Sequence, residues 1–313
     1  VWSQRQVFSS NKSLTNTSHP LYDFTRGYIS YVRGADPKTF PTVMYPAKSK
    51  TRSVSSLRVF PSVLTKAQSR LLEQKQTVSD IDPSKKMIST LIFPNGGYDN
   101  QAFHALFISR TNAPPFTQPK GLSMFSKKSL STYSPKYDNL LREIRNCKGV
   151  VFVYTEYLVT GAFTVGMMLE ENGFHRFSST SHPRPSMLQN VSAAGKRVRK
   201  QGSYVIFDQS NPGEISELLQ TINSPQNKRG KNVRVIIGTR RIEQGITFKH
   251  VRQIHILTPW WNMNRNKQII GRGSRTLSHA YLPAQERNVT VFFHVGIGKK
   301  NTYSPDPVSY THL

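Results

Sequence analysis

Five short runs of apolar residues, each rich in β-branched or aromatic side chains, constrain this chain more than any other feature. They are VVFVYT at 150–155, YVIFD at 204–208, VRVIIG at 233–238, QIHIL at 253–257 and VTVFFHV at 289–295. VVFVYT and YVIFD lack the in–out alternation of a half-solvated strand, and all five are short and mainly apolar, so together they read as strands of a sheet covered on both faces. Helical patterns lie between or beside them. YDNLLREIRN at 137–146 places Leu140, Leu141 and Ile144 on one face, 158–172 continues to a Gly173 stop, and 214–223 is a third helix. Strands alternating with helices predict an α/β fold, a parallel sheet with helices on both faces, over residues 131–298.

The region ahead of it has a different character. Residues 1–20 are rich in Ser, Asn and Thr without a period, and 21–46 mix aromatic and β-branched residues with Gly27, Gly34, Pro37 and Pro41, the pattern of short strands and turns. Thr65 is placed to cap a helix running to about Gln76. Residues 77–132 join short apolar runs such as MISTLIF with turns such as Pro94-Asn95-Gly96-Gly97. Residues 1–130 are therefore read as an irregular α+β accessory region, and 299–313 as a disordered or artefactual tail.

Composition limits the partners. Lys and Arg number 43 against 17 Asp and Glu, a net charge of +26, which favours a polyanion, first of all nucleic acid. The one cysteine, Cys147, excludes an internal disulfide framework and a Cys-based zinc cluster and fits a reducing, intracellular compartment. No metal site is expected. No apolar run approaches the roughly 18 residues of a membrane span, so no membrane partner is expected either.

The stretch Val233 to Arg275 carries the chemistry. Its end, QIIGRGSR at 268–275, fits Gln-x-x-Gly-Arg-x-x-Arg, and upstream lies IIGTRRIEQGITF at 236–248. Together they resemble motifs V and VI of superfamily 2 helicases and nucleic-acid-dependent ATPases. GVVFVYTEYLVTGAFTVGMMLEENGF and the order VRQIHILTPWWNMNRNKQIIGRGSR, then SHAYLPAQERNVTVFF, resemble the second RecA-like domain of helicases of nucleocytoplasmic large DNA viruses, among them the small subunit of the poxvirus early transcription factor.

The resemblance implies an ATP and Mg2+ site between two RecA-like domains, held mainly by a first domain. Arg275 would be the arginine finger and Arg272 a second phosphate or interdomain contact, since the planar, permanently charged guanidinium suits charge developing on a transferred phosphoryl group. Gln268, Gly271, Glu243 and Gly245 would line the nucleotide cleft. In the family a small residue more often directly precedes Glu-Gly, whereas here Glu243-Gln244-Gly245 shifts the acid by one. The plainer reading of the two Arg is that they cap a helix or pair with carboxylates.

For nucleic acid the candidates are Thr155, Glu156 and Tyr157 after the first strand of the α/β region, Thr239 and Arg240 after VRVIIG, and Trp260 and Trp261. Residues leaving the carboxyl ends of parallel strands are placed to hold a phosphate backbone, and a Trp can stack on a base. The two Trp serve equally well as packing between sheet and helix. The chain begins at Val1 and contains neither a Gly-x-x-x-x-Gly-Lys-Ser/Thr phosphate loop nor an Asp-Glu-x-Asp or Asp-Glu-x-His box. It is therefore expected to be the C-terminal half of a motor, inactive toward ATP alone, with the first domain, DNA, and a transcription factor or RNA polymerase as partners in a viral factory, host cytoplasm or virion. The rival is a non-catalytic basic nucleic-acid-binding or structural protein with a degenerate helicase fold.

Overall fold

A computed structural model describes residues 39–46, 59–75, 82–179, 181–191, 199–207, 212–243, 245–298 and 306. The described residues belong to one compact unit. Its strands are β1 (Thr42–Met44), β2 (Val59–Val63), β3 (Val150–Tyr154), β4 (Phe174–Arg176), β5 (Gly202–Phe207), β6 (Val235–Gly238), β7 (Val251–Ile256) and β8 (Asn288–Ile297). Its helices are α1 (Lys66–Gln74), α2 (Pro83–Thr90), α3 (Asn100–Leu106), α4 (Leu130–Tyr133), α5 (Pro135–Asn146), α6 (Thr164–Glu171), α7 (Pro212–Asn223) and α8 (Met263–Gly273).

The strands form one sheet in the order β1-β8-β7-β3-β6-β5-β4, with β2 also on β8, and every pairing is parallel. The expected α/β class is what the chain adopts. Along β3 the side chains alternate between two cores. Val151 and Val153 pack with Leu140, Leu141 and Ile144 of α5 and with α6, while Val150, Phe152 and Tyr154 pack with Leu218 and Ile222 of α7 and Ile269 of α8. Both faces of β3 are covered, which is why it carries no polar stripe.

The expected boundary near 130 is not a break in the sheet. β1 pairs with Asn288–Thr290 and β2 with Phe293–Ile297, so residues from the accessory region complete β8's outer edge. A long bare edge exposes unpaired N–H and C=O groups, and those strands satisfy them. Asp306 departs from the expectation for residues 299–313. It is fully buried, accepts from Lys136 Nζ at 2.9 Å and takes the Gly296 N–H at 2.6 Å.

Local signals behave as anticipated at α1, where Thr65 and Gln68 form a reciprocal capping box. They fail at 83–90 and 100–106, where α2 and α3 stand in place of short apolar runs, each opened by an Asp cap, Asp82 on Ser84 N–H and Asp99 on Ala102 N–H. The turn expected at Pro94-Asn95-Gly96-Gly97 lies between them, with Gly96 N–H donating to Phe93 O at 2.9 Å and Gly96 at φ +81°. The helix expected over 158–172 begins as a π-helical turn, Leu158–Phe163, before α6. At its centre Gly161 lies against Thr155, and a Cβ there would fall 2.3 Å from Thr155 Oγ1.

Candidate nucleic-acid and nucleotide faces

The register decides where the candidate residues emerge. Tyr154, the last residue of β3, lies opposite Gly238 of β6 and Ile256 of β7. The three central strands therefore end level. The chains that follow them, 155–157, 239–240 and 257–261, leave one edge together.

Of the seven candidates on this edge, three converge. Glu156 is buried and its carboxylate binds Lys86 Nζ at 3.2 Å and the Arg240 guanidinium. Trp260 is ringed by cations, with Arg265 at 3.9 Å, Lys86 at 4.1 Å and Arg240 at 5.6 Å from its ring centroid. Its backbone is fixed by Asn266, which accepts from Trp260 N and donates to Trp260 O. Trp260 thus holds cations over an indole face. Trp261 is 45 % exposed.

The other candidates stand apart. Thr155 is buried with its hydroxyl unpaired, its backbone N–H bonded to Gly238 O. Thr239 is buried as well, and its carbonyl takes the Ile242 N–H. Tyr157 donates to Pro83 O, and burial, reinforced by Asp82 and Asp306, raises its pKa.

Three residues of the edge were not read from the sequence. Thr258 Oγ1 accepts the Glu156 N–H at 2.8 Å, and Arg265 and Lys86 supply two of the three cations. Lys86 carried a signal, since Asp82-Pro83 is a helix start that places it in the first turns of α2. Burial lowers its pKa to about 8, Asp306 opposes that, and Arg240 and Arg265 lower it further.

The nucleotide candidates lie at the far end of the same block. Gly238 must be bare because Ile242 folds over it, and a Cβ would meet Ile242 Cδ1 at 2.0 Å. The 3-10 turn Arg240–Glu243 follows, with the Glu243 side chain outside the described residues. Gly245 then takes φ +75°, a left-handed conformation suited to glycine. This turn delivers Ile246–Phe248 to α8. Phe248 N–H donates to Arg272 O at 2.8 Å, Arg272 Nη1 to Ile246 O at 3.2 Å, and Arg275 Nη1 to Thr247 Oγ1 at 2.9 Å.

Arg272 is buried, whereas Arg275 and Gln268 are exposed. No carboxylate among the described residues forms an ion pair with Arg275, so the plainer reading of that Arg as a carboxylate partner does not describe it. At Gly271 an added Cβ would meet nothing within 4 Å, so packing within this chain does not require glycine there. Among the described residues no group of three His, Cys, Asp or Glu is gathered for a metal, and no helix is long and apolar enough to cross a membrane.

Residues 191–276 match the helicase conserved C-terminal domain. A putative ATP-dependent RNA helicase of Acanthamoeba polyphaga mimivirus is 27 % identical over 302 residues, covering 90 % of this chain and 46 % of that protein. A putative helicase of invertebrate iridescent virus 3 is 28 % identical over 287 residues, covering 88 % and 27 %. A termination factor NPH-I homolog of African swine fever virus is 25 % identical over 193 residues, covering 56 % and 27 %. Among solved structures, the C-terminal part of the Fun30 ATPase domain aligns with a TM-score of 0.46 at 11 % identity, covering 88 % of this chain and 90 % of that one. The chain spans less than half the length of these viral relatives. Residues 191–276 thus carry a helicase conserved C-terminal domain, and on its motifs and these matches the chain is similar to superfamily 2 helicases of nucleocytoplasmic large DNA viruses.

Proposed function

We propose that this chain is the second motor domain of a nucleic-acid-dependent ATPase that translocates on or remodels DNA, with Arg275 as its arginine finger. The observation that carries the reading is the state of Arg275: an exposed guanidinium with no carboxylate partner among the described residues, steadied by Thr247 from the neighbouring motif. ATP with Mg2+, held mainly by a first domain, would supply the phosphoryl group whose hydrolysis drives motion. Arg275 would stabilise charge developing on it, and buried Arg272 would hold the loop that presents the cleft. Gln268, Gly271, Glu243 and Gly245 would line this side of the nucleotide, Gly271 leaving room for a close approach.

Thr155, Glu156, Tyr157, Thr239, Arg240, Trp260 and Trp261 would form the nucleic-acid face, where strand ends and a cation-bearing Trp meet the backbone. Residues 131–298 would be the motor half, and the residues before them an accessory region that braces its edge. A viral transcription factor or RNA polymerase in the host cytoplasm is the partner this reading favours. Alone, the chain would not hydrolyse ATP. The test joins it to an upstream domain bearing a phosphate loop and measures DNA-stimulated ATP hydrolysis. Arg275→Ala is expected to lower turnover by roughly 10³ to 10⁵, and unchanged turnover would refute the assignment.

A further inference from the structure

Lys86 belongs to none of the sequence motifs and comes from α2, ahead of the first central strand, yet its ammonium lies within the nucleic-acid face. It sits 4.1 Å from the Trp260 ring centroid and 3.2 Å from one oxygen of Glu156. The other oxygen of that carboxylate binds Arg240, whose side chain is 55 % exposed. Glu156 therefore offers Lys86 and Arg240 a fork of two oxygens sharing one negative charge, the same pattern a phosphodiester presents with its non-bridging oxygens.

We propose that Lys86 is a phosphate ligand of the nucleic-acid face, and that Glu156 is the internal carboxylate which a backbone phosphate displaces from Lys86 and Arg240. The inference rests on the nucleic-acid reading of this face. Access supports displacement rather than addition. Lys86 is 3 % exposed and its ammonium is already engaged by a Glu156 oxygen and the Trp260 ring, so a phosphate oxygen would replace the carboxylate oxygen rather than add beside it.

Charge supports it too. Two cations share the one carboxylate, Arg265 adds a third against the same indole, and burial with these neighbours leaves the Lys86 ammonium under-compensated, its pKa near 8 despite Asp306. An arriving phosphate brings a negative charge to that spot. Glu156 in turn keeps the cations ordered in its absence and sets the affinity by competing.

The experiment measures binding of the 313-residue chain to short fluorescein-labelled single-stranded and duplex DNA by anisotropy over a salt series, with thermal melts of every variant. Glu156→Gln keeps the shape and removes the competing charge, and is expected to bind about tenfold more tightly. Lys86→Met is expected to bind about tenfold more weakly, with a log–log salt slope shallower by about one. The double variant Lys86→Met with Glu156→Gln leaves neither of the two buried charges without its partner. It serves as the folded control, and its slope is expected to be shallower by about one than that of Glu156→Gln alone. Equal or weaker binding by Glu156→Gln, or a double variant with the slope of the single one, overturns the proposal while leaving the face intact. A wild-type chain that binds neither DNA at low salt removes the nucleic-acid reading itself, and this inference with it.

Discussion

Arg275 Nη1 donates to Thr247 Oγ1 at 2.9 Å, tying the exposed end of one motif to the loop of the other across 28 residues of sequence. Beside it, buried Arg272 holds Ile246 O and receives Phe248 N–H. Two Arg three positions apart therefore differ in kind. One is part of the packing, and the other is anchored at a single point with its guanidinium largely in solvent.

That difference predicts separable effects on stability. Arg272→Ala breaks a partly buried hydrogen bond from a buried guanidinium and leaves Ile246 O without that donor, a loss of about 1–3 kcal/mol. Arg275→Ala removes an exposed contact and should stay within about 0.5 kcal/mol of wild type. Urea unfolding of the two variants checks this. Equal losses, or a larger loss for Arg275→Ala, would contradict the division of labour.

Glu170 on α6 organises the segment at 185–191. Its carboxylate accepts Met187 N–H at 2.7 Å, Leu188 N–H at 2.9 Å and Tyr204 Oη–H at 2.6 Å, and burial raises its pKa against the pull of those donors. Glu170→Ala should cost about 1–3 kcal/mol, since three buried donors lose their acceptor. It should also make residues 185–191 the earliest site of limited proteolysis. A wild-type melting curve with an uncut segment would show that the donors find other partners.

The buried His pair sets an acid limit. His255 Nδ1 lies 2.9 Å from His294 Nε2, its ring is stacked on Phe292, and burial depresses the His255 pKa to about 3. The unfolded chain takes up a proton on this residue below about 6.5, and the folded chain only near 3. The stabilisation is complete above 6.5 and is lost as pH falls toward 3, by about 1.4 kcal/mol per pH unit. His255→Gln should flatten the slope of unfolding free energy between pH 6.5 and 4. An unchanged slope would assign the acid sensitivity to other groups.

Much of the sheet could be read locally because β3, β5 and β6 are buried on both faces and so announce themselves as nearly continuous apolar runs. Thr65 and Gly173 mark helix ends for the same reason, that caps and stops are short-range chemistry. The helix at 83–90 is not legible in the sequence because α2 buries Lys85, Lys86, Ser89 and Thr90 along with Ile88, so it shows no clean apolar stripe at helical spacing. The π-helical start of the helix at 158 is a tertiary effect, and there Gly161 abuts Thr155.

The sequence by itself determined that this chain builds a parallel α/β sheet and carries the two Arg of a helicase motif, since periodicity and spacing lie within a few dozen residues. Only the tertiary structure decided that β1 and β2 finish the edge of β8, that Arg272 is buried while Arg275 is not, and that Lys86 shares Glu156 with Arg240 beneath Trp260. Those pairings join residues tens to hundreds of positions apart. Strand register and the level ends of β3, β6 and β7 create them, and no local pattern encodes which distant side chain arrives there.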